Sequence, residues 1–239
     1  MPQIFHSSTN TLARASIVLA AIAPLGLMMA LSAMSRTYFV RLNVPVQQPV
    51  PFSHEHHSNE LGIACQYCHV SVEKAGNAGL PPTHTCMSCH SQIWTNSPLL
   101  EPVRESYRSQ TPLKWNKVWD LPDFVYFNHS IHVNKGIPCQ HCHGNINQMQ
   151  ITYKSVHHSM AWCLDCHRAP EKYIRPREEV YSFDYNLHAA IERYADEHAK
   201  ATGKKLEQIP RNQVEFGQLL VQDANINKKQ LSDCWICHR

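Results

Sequence analysis

All ten cysteines of this 239-residue chain fall within five copies of one pattern, Cys-x-x-Cys-His. The copies are Cys65/Cys68/His69, Cys86/Cys89/His90, Cys139/Cys142/His143, Cys163/Cys166/His167 and Cys234/Cys237/His238. Two thiols at this spacing can add to the vinyl groups of a porphyrin, and the adjoining imidazole can then reach the iron from below. Paired Cys-x-x-Cys units also bind zinc, but a four-ligand zinc site does not require a histidine after every second cysteine. An even cysteine count suits a disulfide framework, yet that framework leaves the five histidines unexplained. The pattern therefore predicts five covalently attached haem c groups, held by the ten cysteines, with His69, His90, His143, His167 and His238 as proximal iron ligands.

Each iron needs a second axial ligand, and a repeat supplies candidates. Phe52-Ser-His54-Glu-His-His57 leads through Gly62-Ile63 to Cys65, and Phe127-Asn-His129-Ser-Ile-His132 leads through Gly136-Ile137 to Cys139. A further Cys-x-x-Cys-His follows 21 residues after Cys65 and 24 after Cys139. The chain thus reads as two dihaem modules, 52–90 and 127–167, offset by near 75 residues, with a terminal haem at 234–238. Histidines at i and i+3 share one face of a helical turn. One iron has a single vacant axial position, so His54 and His57 serve two different irons, as do His129 and His132.

Four distal ligands are thereby nominated where five are needed. Met149, Met160, His158 and His188 are the candidates for the remaining position. A methionine there raises the potential relative to a second histidine, although core packing is the usual task of a methionine. His141, pinned inside a motif, is set aside.

The elements that must position these groups are short. Fifteen prolines interrupt any long pattern, so the expected fold is mostly irregular and α-helical, with the cofactors forming much of the core. One longer helix is expected over 185–201, with Leu187, Ile191, Tyr194 and His198 on one face and Gly203 as its stop. Ala15 to Met34 (ASIVLAAIAPLGLMMALSAM) carries no charge and matches the length of a bilayer-spanning helix. A signal peptide has a shorter apolar region and a small-residue cleavage site, which does not follow here. The expected organisation is a cytoplasmic N-terminus (1–14), a transmembrane anchor (15–36) and a pentahaem domain (37–239). Because haem c is attached on the outer face of the bacterial cytoplasmic membrane, the domain is expected on the periplasmic side.

The net charge of +3 is scattered, with no basic block, and the haem propionates oppose it. Nucleic-acid binding is therefore excluded as an expectation. No phosphate-cradling glycine pattern or nucleophilic triad is legible. Arg168 and Arg239, each directly after a proximal histidine, are candidates for pairing with propionates, and Trp162 and Trp235 for packing on porphyrin.

The Phe-x-His-x-x-His pattern resembles that of small class III multihaem cytochromes. That resemblance implies that His54 completes the haem at Cys65/Cys68 and His129 the haem at Cys139/Cys142, while His57 and His132 go to other haems. More widely, QIFHSSTNTLARASIV, VPFSHEHHSNELGIACQYCHVSVEKAGNAGLPPTHTCMSCH, YFNHSIHVNKGIPCQHCHGNINQM and SMAWCLDCHR resemble the pentahaem cytochrome subunit of alternative complex III. This implies an electron-transfer subunit, not an enzyme in isolation, within a quinol-oxidising membrane complex. Its partners would be membrane and periplasmic subunits, the lipid bilayer, and a soluble cytochrome c or other acceptor. The alternatives are a membrane-tethered quinol dehydrogenase serving a periplasmic reductase and a multihaem reductase with one open iron.

Overall fold

The computed structural model describes residues 4–6, 8–35, 41–206 and 208–238. Two compact units divide the chain, residues 1–44 and 45–239.

The first unit is dominated by α1 (Thr9–Met34), an unbroken helix of 26 residues with Pro24 inside it. It starts six residues before the uncharged stretch, because helical hydrogen bonding runs on through Thr9, Asn10 and Arg14. None of its side chains is buried, including Leu19, Leu25 and Met29. In water that surface would be unfavourable by about 25 cal/mol per Å². By length and composition α1 can cross a membrane, and Pro24 is tolerable there. The expected anchor ends at Arg36, which lies outside the described residues.

The second unit is built from short helices separated by irregular chain. They are α2 (Cys65–Cys68), α3 (Thr83–His90), α4 (Glu101–Ser109), α5 (His129–Asn134), α6 (Cys139–His143), α7 (Met160–Arg168), α8 (Leu187–Thr202), α9 (Gln213–Asp223) and α10 (Cys234–Cys237). Every Cys-x-x-Cys-His motif lies on its own helical turn, in α2, α3, α6, α7 and α10. A helical turn brings positions i and i+3 to one face, which sets the two sulfurs of each motif side by side. The extended structure among the described residues includes an antiparallel bridge from Pro45 to Tyr153.

The apolar core is divided into small clusters. In the largest, Ile191 and Ala190 of α8 pack with Phe216, Leu220 and Val221 of α9 and with Ile137 and Ile174. Phe216 is wholly buried, and truncating such a ring costs about 3–5 kcal/mol. Helix α8 begins where Asn186 accepts from Ala189 N–H and ends at Gly203 in the left-handed conformation, close to the expected limits. Its Leu187, Ile191 and Tyr194 pack into this protein core, so the face is occupied by α9. Gly217 allows α9 to lie directly on the backbone of Glu171, where a Cβ would collide with the carbonyl oxygen.

Candidate metal centres

Helix α5 carries the second repeat. Asn128 caps it, its side chain accepting from Ile131 N–H. In the first repeat the corresponding turn, Glu55–Glu60, is wound as a π-helix. Despite that difference the aromatic geometry recurs. Phe52 stacks on His57 at 4.5 Å and meets His54 edge-on at 4.9 Å. Phe127 stacks on His132 at 4.4 Å and meets His129 edge-on at 4.8 Å. The phenylalanine of the repeat therefore splays the two imidazoles apart, aiming them at different places.

Those places are other imidazoles. His57 faces His90 with ring centres 6.2 Å apart, His129 faces His143 at 6.3 Å, and His132 faces His167 at 6.1 Å. An iron bonded to two opposed imidazoles holds each nitrogen at about 2.0 Å, and each nitrogen sits about 1.1 Å from its ring centre, giving a separation of about 6.2 Å. Three pairs thus match the separation that one axially ligated iron requires. His54 lies beside His69; burial, together with that proximity, lowers the His54 pKa to about 4. In each repeat the first histidine therefore neighbours the first motif of its module, and the second histidine faces the second motif.

Hydrogen bonds settle which nitrogen of each ring is free. His57 Nδ1–H donates to the Ser53 carbonyl (2.8 Å) and His132 Nδ1–H to the Asn128 carbonyl (2.8 Å). His129 donates to Gly76 (2.9 Å), His69 to Gly79 (2.7 Å), His90 to Ile93 (3.2 Å), His167 to Leu231 (2.7 Å) and His238 to Phe124 (3.2 Å). A carbonyl only accepts, so the proton sits on Nδ1 and Nε2 keeps a lone pair for a metal. His54 Nδ1 pairs instead with Thr152 Oγ1 at 3.1 Å. Burial also lowers the pKa of His57 and His132, and that of His143 to about 3. Low values keep the rings neutral, the form that binds metal.

No disulfide joins any two of the ten cysteines. Burial pushes the Cys139 and Cys142 thiols up to about 12 and Cys166 to about 11. Neighbouring thiols also raise one another, Cys86 acting on Cys68, Cys65 on Cys139, Cys163 and Cys166 on Cys142, and Cys237 on Cys163. The motifs therefore lie in the spatial order second, first, third, fourth, fifth. Among the described residues no three His, Cys, Asp or Glu side chains converge as a closed zinc site requires.

Cys89 and Cys234 are exposed, whereas the other eight cysteines are partly buried. In the second motif Cys86 packs against the cluster of Val50, Leu100 and Val103. Cys89 sits one turn further along α3, beyond that cluster, and its Sγ accepts a long hydrogen bond from Ser88 Oγ at 3.8 Å. Cys234 opens the short terminal helix α10, beside the exposed Trp235. An accessible thiol is as able to form a thioether as a half-buried one, so the attachment chemistry expected of Cys89 and Cys234 is unaffected.

The four candidates for the remaining axial position are dispersed. Met149 is buried, its methyl group near Gly144. Met160 is 62% exposed at the start of α7. His158 packs edge-on against Trp162 at 4.9 Å, and burial lowers its pKa to about 4. His188 lies in the first turn of α8. The ring stacked on His238 is Phe124, at 5.8 Å. His141 lies between Trp162 (4.9 Å) and Tyr173 (4.4 Å), which accounts for it without a metal. Trp235 and Arg168 are exposed, and Arg239 lies outside the described residues.

Several positioning groups escape a reading of sequence alone. The carbonyls of Gly76, Gly79 and Leu231 belong to residues without a signature, and Trp119, which meets His143 at 4.4 Å, sits in irregular chain far from any motif.

No protein-family profile matches the chain. Over 98 residues it is 38% identical to the protein of Nitratidesulfovibrio vulgaris named menaquinone reductase, multiheme cytochrome c subunit. The match covers 41% of this chain and 46% of that protein, so it spans less than half the length of either. Together with the five motifs, this similarity supports a multihaem c-type cytochrome.

Proposed function

We propose that this chain is a membrane-anchored pentahaem cytochrome c that relays electrons between a quinol-oxidising membrane complex of the alternative complex III type and a periplasmic carrier or oxidase. Haem iron, when bound, supplies one-electron exchange between its ferric and ferrous states. The observation that carries the proposal is the set of three imidazole pairs at 6.1–6.3 Å, each joining a motif histidine to a histidine of the repeat.

On this reading the chain's residues perform three tasks. The ten cysteines tether five porphyrins. His54/His69, His57/His90, His129/His143 and His132/His167 close four irons from both sides, leaving no open position for a substrate. The phenylalanines and backbone carbonyls lock the rings in orientation and tautomer, which limits reorganisation when the iron changes charge. The fifth iron takes His238 and one of Met149, Met160, His158 or His188. Two dihaem modules then feed a terminal site, with α1 anchoring the array on the periplasmic side of the cytoplasmic membrane.

A second reading shares the same wire. The relative is named as part of a menaquinone reductase, and an array of closed irons conducts in either direction. On that reading the chain is a tethered quinone-linked cytochrome exchanging electrons with a periplasmic redox enzyme. Co-purification in detergent with mass spectrometry separates the two: integral membrane subunits travelling with the chain support the first, and a soluble periplasmic enzyme alone supports the second. Rapid binding of carbon monoxide by most of the reduced haem would overturn both.

A further inference from the structure

Nine histidines surround the proposed irons, and eight have an Nδ1 partner. Seven donate to a backbone carbonyl and His54 pairs with a hydroxyl. His143 differs, because its Nδ1 is buried and, among the described residues, has no partner. The side chain that packs against its ring is Trp119, at 4.4 Å and 82°. Trp119 Nε1 is itself buried without a partner. An indole N–H and an imidazole N–H are both donors, so neither can satisfy the other.

This asymmetry bears on redox potential. A carbonyl accepting from Nδ1–H makes the imidazole a stronger electron donor to the metal, which favours the ferric state. An imidazole without that acceptor donates less, and a buried, poorly solvated surrounding disfavours the extra positive charge of ferric iron. Both influences act in one direction at His143. His57/His90 and His132/His167 have carbonyl acceptors on both sides, and His54/His69 has a hydroxyl on one and a carbonyl on the other.

Building on the pentahaem reading, we propose that Trp119 withholds a hydrogen-bond acceptor from His143 and so makes the His129/His143 position the most oxidising of the four histidine-paired irons. The third motif stands in the middle of the spatial order, between the first and the fourth. Among the four histidine-paired irons an electron would therefore dwell at this one. Trp119 acts as a positioning residue, through His143.

The test is a redox titration of the full-length holoprotein in detergent, followed by electron paramagnetic resonance. The ring planes label the irons: 9° between His129 and His143, 27° between His132 and His167, and 67° between His57 and His90. Nearly parallel planes give a rhombic low-spin ferric signal, and strongly crossed planes a highly anisotropic one. The expected result is that a rhombic signal is the first histidine-ligated component to vanish on reduction. Trp119→Gln, which offers an amide oxygen to His143, should then lower that component so that its oxidised-to-reduced ratio at fixed poise rises about tenfold, which is about 59 mV for one electron. Trp119→Phe keeps an aromatic ring without an acceptor and should leave it in place. Loss of the highly anisotropic signal first, or equal shifts in both variants, would overturn the proposal. Haem content measured on the same sample separates this from failure of the pentahaem reading, which would appear as fewer than five haems or as high-spin iron.

Discussion

The modules at 52–90 and 127–167 aim their histidines alike but are built on different backbones. In the first, the histidine turn is a π-helix with Ser53 Oγ accepting from His56 N–H at 3.1 Å. In the second, it is an α-helix capped by Asn128. The second is also more tightly enclosed. Gly136 abuts the Arg175 carbonyl, with Arg175 N–H donating back to the Gly136 carbonyl at 2.8 Å, whereas nothing lies within 4 Å of a Cβ built on Gly62. The cysteines follow suit: Cys89 of the first module is exposed, while all four of the second are partly buried. What recurs is the phenylalanine wedge, the carbonyl four residues before each second histidine, and the imidazole pairing. Ligand geometry is thus more constrained than the helix that carries it, as expected when two rings must meet one metal from opposite sides.

The largest effects should come from the second histidine of each repeat. His57→Ala and His132→Ala should each convert one low-spin haem to a high-spin, carbon monoxide-binding one while four remain low-spin, read by visible and paramagnetic spectra. If either variant stays fully low-spin, the pairing with His90 or His167 is wrong.

Next comes the glycine contrast. Both glycines have positive φ, +67° at Gly62 and +84° at Gly136, so alanine costs about 1–2 kcal/mol at either from conformation alone. At Gly136 the collision with backbone adds to this, and Gly136→Ala should lose about 3 kcal/mol or more in denaturant unfolding. Equal losses would mean the second module is no more enclosed than the first.

Acid should act on both modules with one sign. Burial holds His54 near 4 and His143 near 3, below their ordinary 6.5. The unfolded chain then binds more protons below 6.5, so stability is fully present above 6.5 and falls as pH drops towards 4 and 3. Protons also compete with iron for the same Nε2. Unfolding midpoints should be flat above pH 7 and decline below 6.5; a midpoint that rises on acidification would contradict this. The smallest effect is the cap: Asn128→Ala should cost about 1 kcal/mol, and Ser53→Ala less, since Asn128 Oδ1 accepts from both Ile131 N–H and Ser130 Oγ whereas Ser53 Oγ accepts from His56 N–H.

Much of the site was legible in sequence because it is written in residue types that few other structures need. The five motifs and the two repeats are read directly from spacing, and the proposed division of each histidine pair between two irons follows from valence. Helix α8 was legible for the ordinary reasons, an amphipathic period and a terminal glycine. The destinations of His57 and His132 were not, because they depend on how α3 and α7 fold back across 33 and 35 residues of chain. The spatial order of the motifs departs from their sequence order for the same reason. Carbonyl partners were invisible, since any residue can supply one. The ring against His238 is Phe124, and none of Met149, Met160, His158 and His188 carries a sequence pattern that ties it to the fifth motif.

The central claim, that five porphyrins are bound through the ten cysteines, is tested most directly by intact mass of the full-length protein alongside five variants, each with both cysteines of one motif changed to serine. The account predicts a native mass carrying five haems and a loss of one haem in every variant. A native protein carrying zinc, disulfides or fewer than five haems, or a motif whose loss leaves the haem count unchanged, would contradict it.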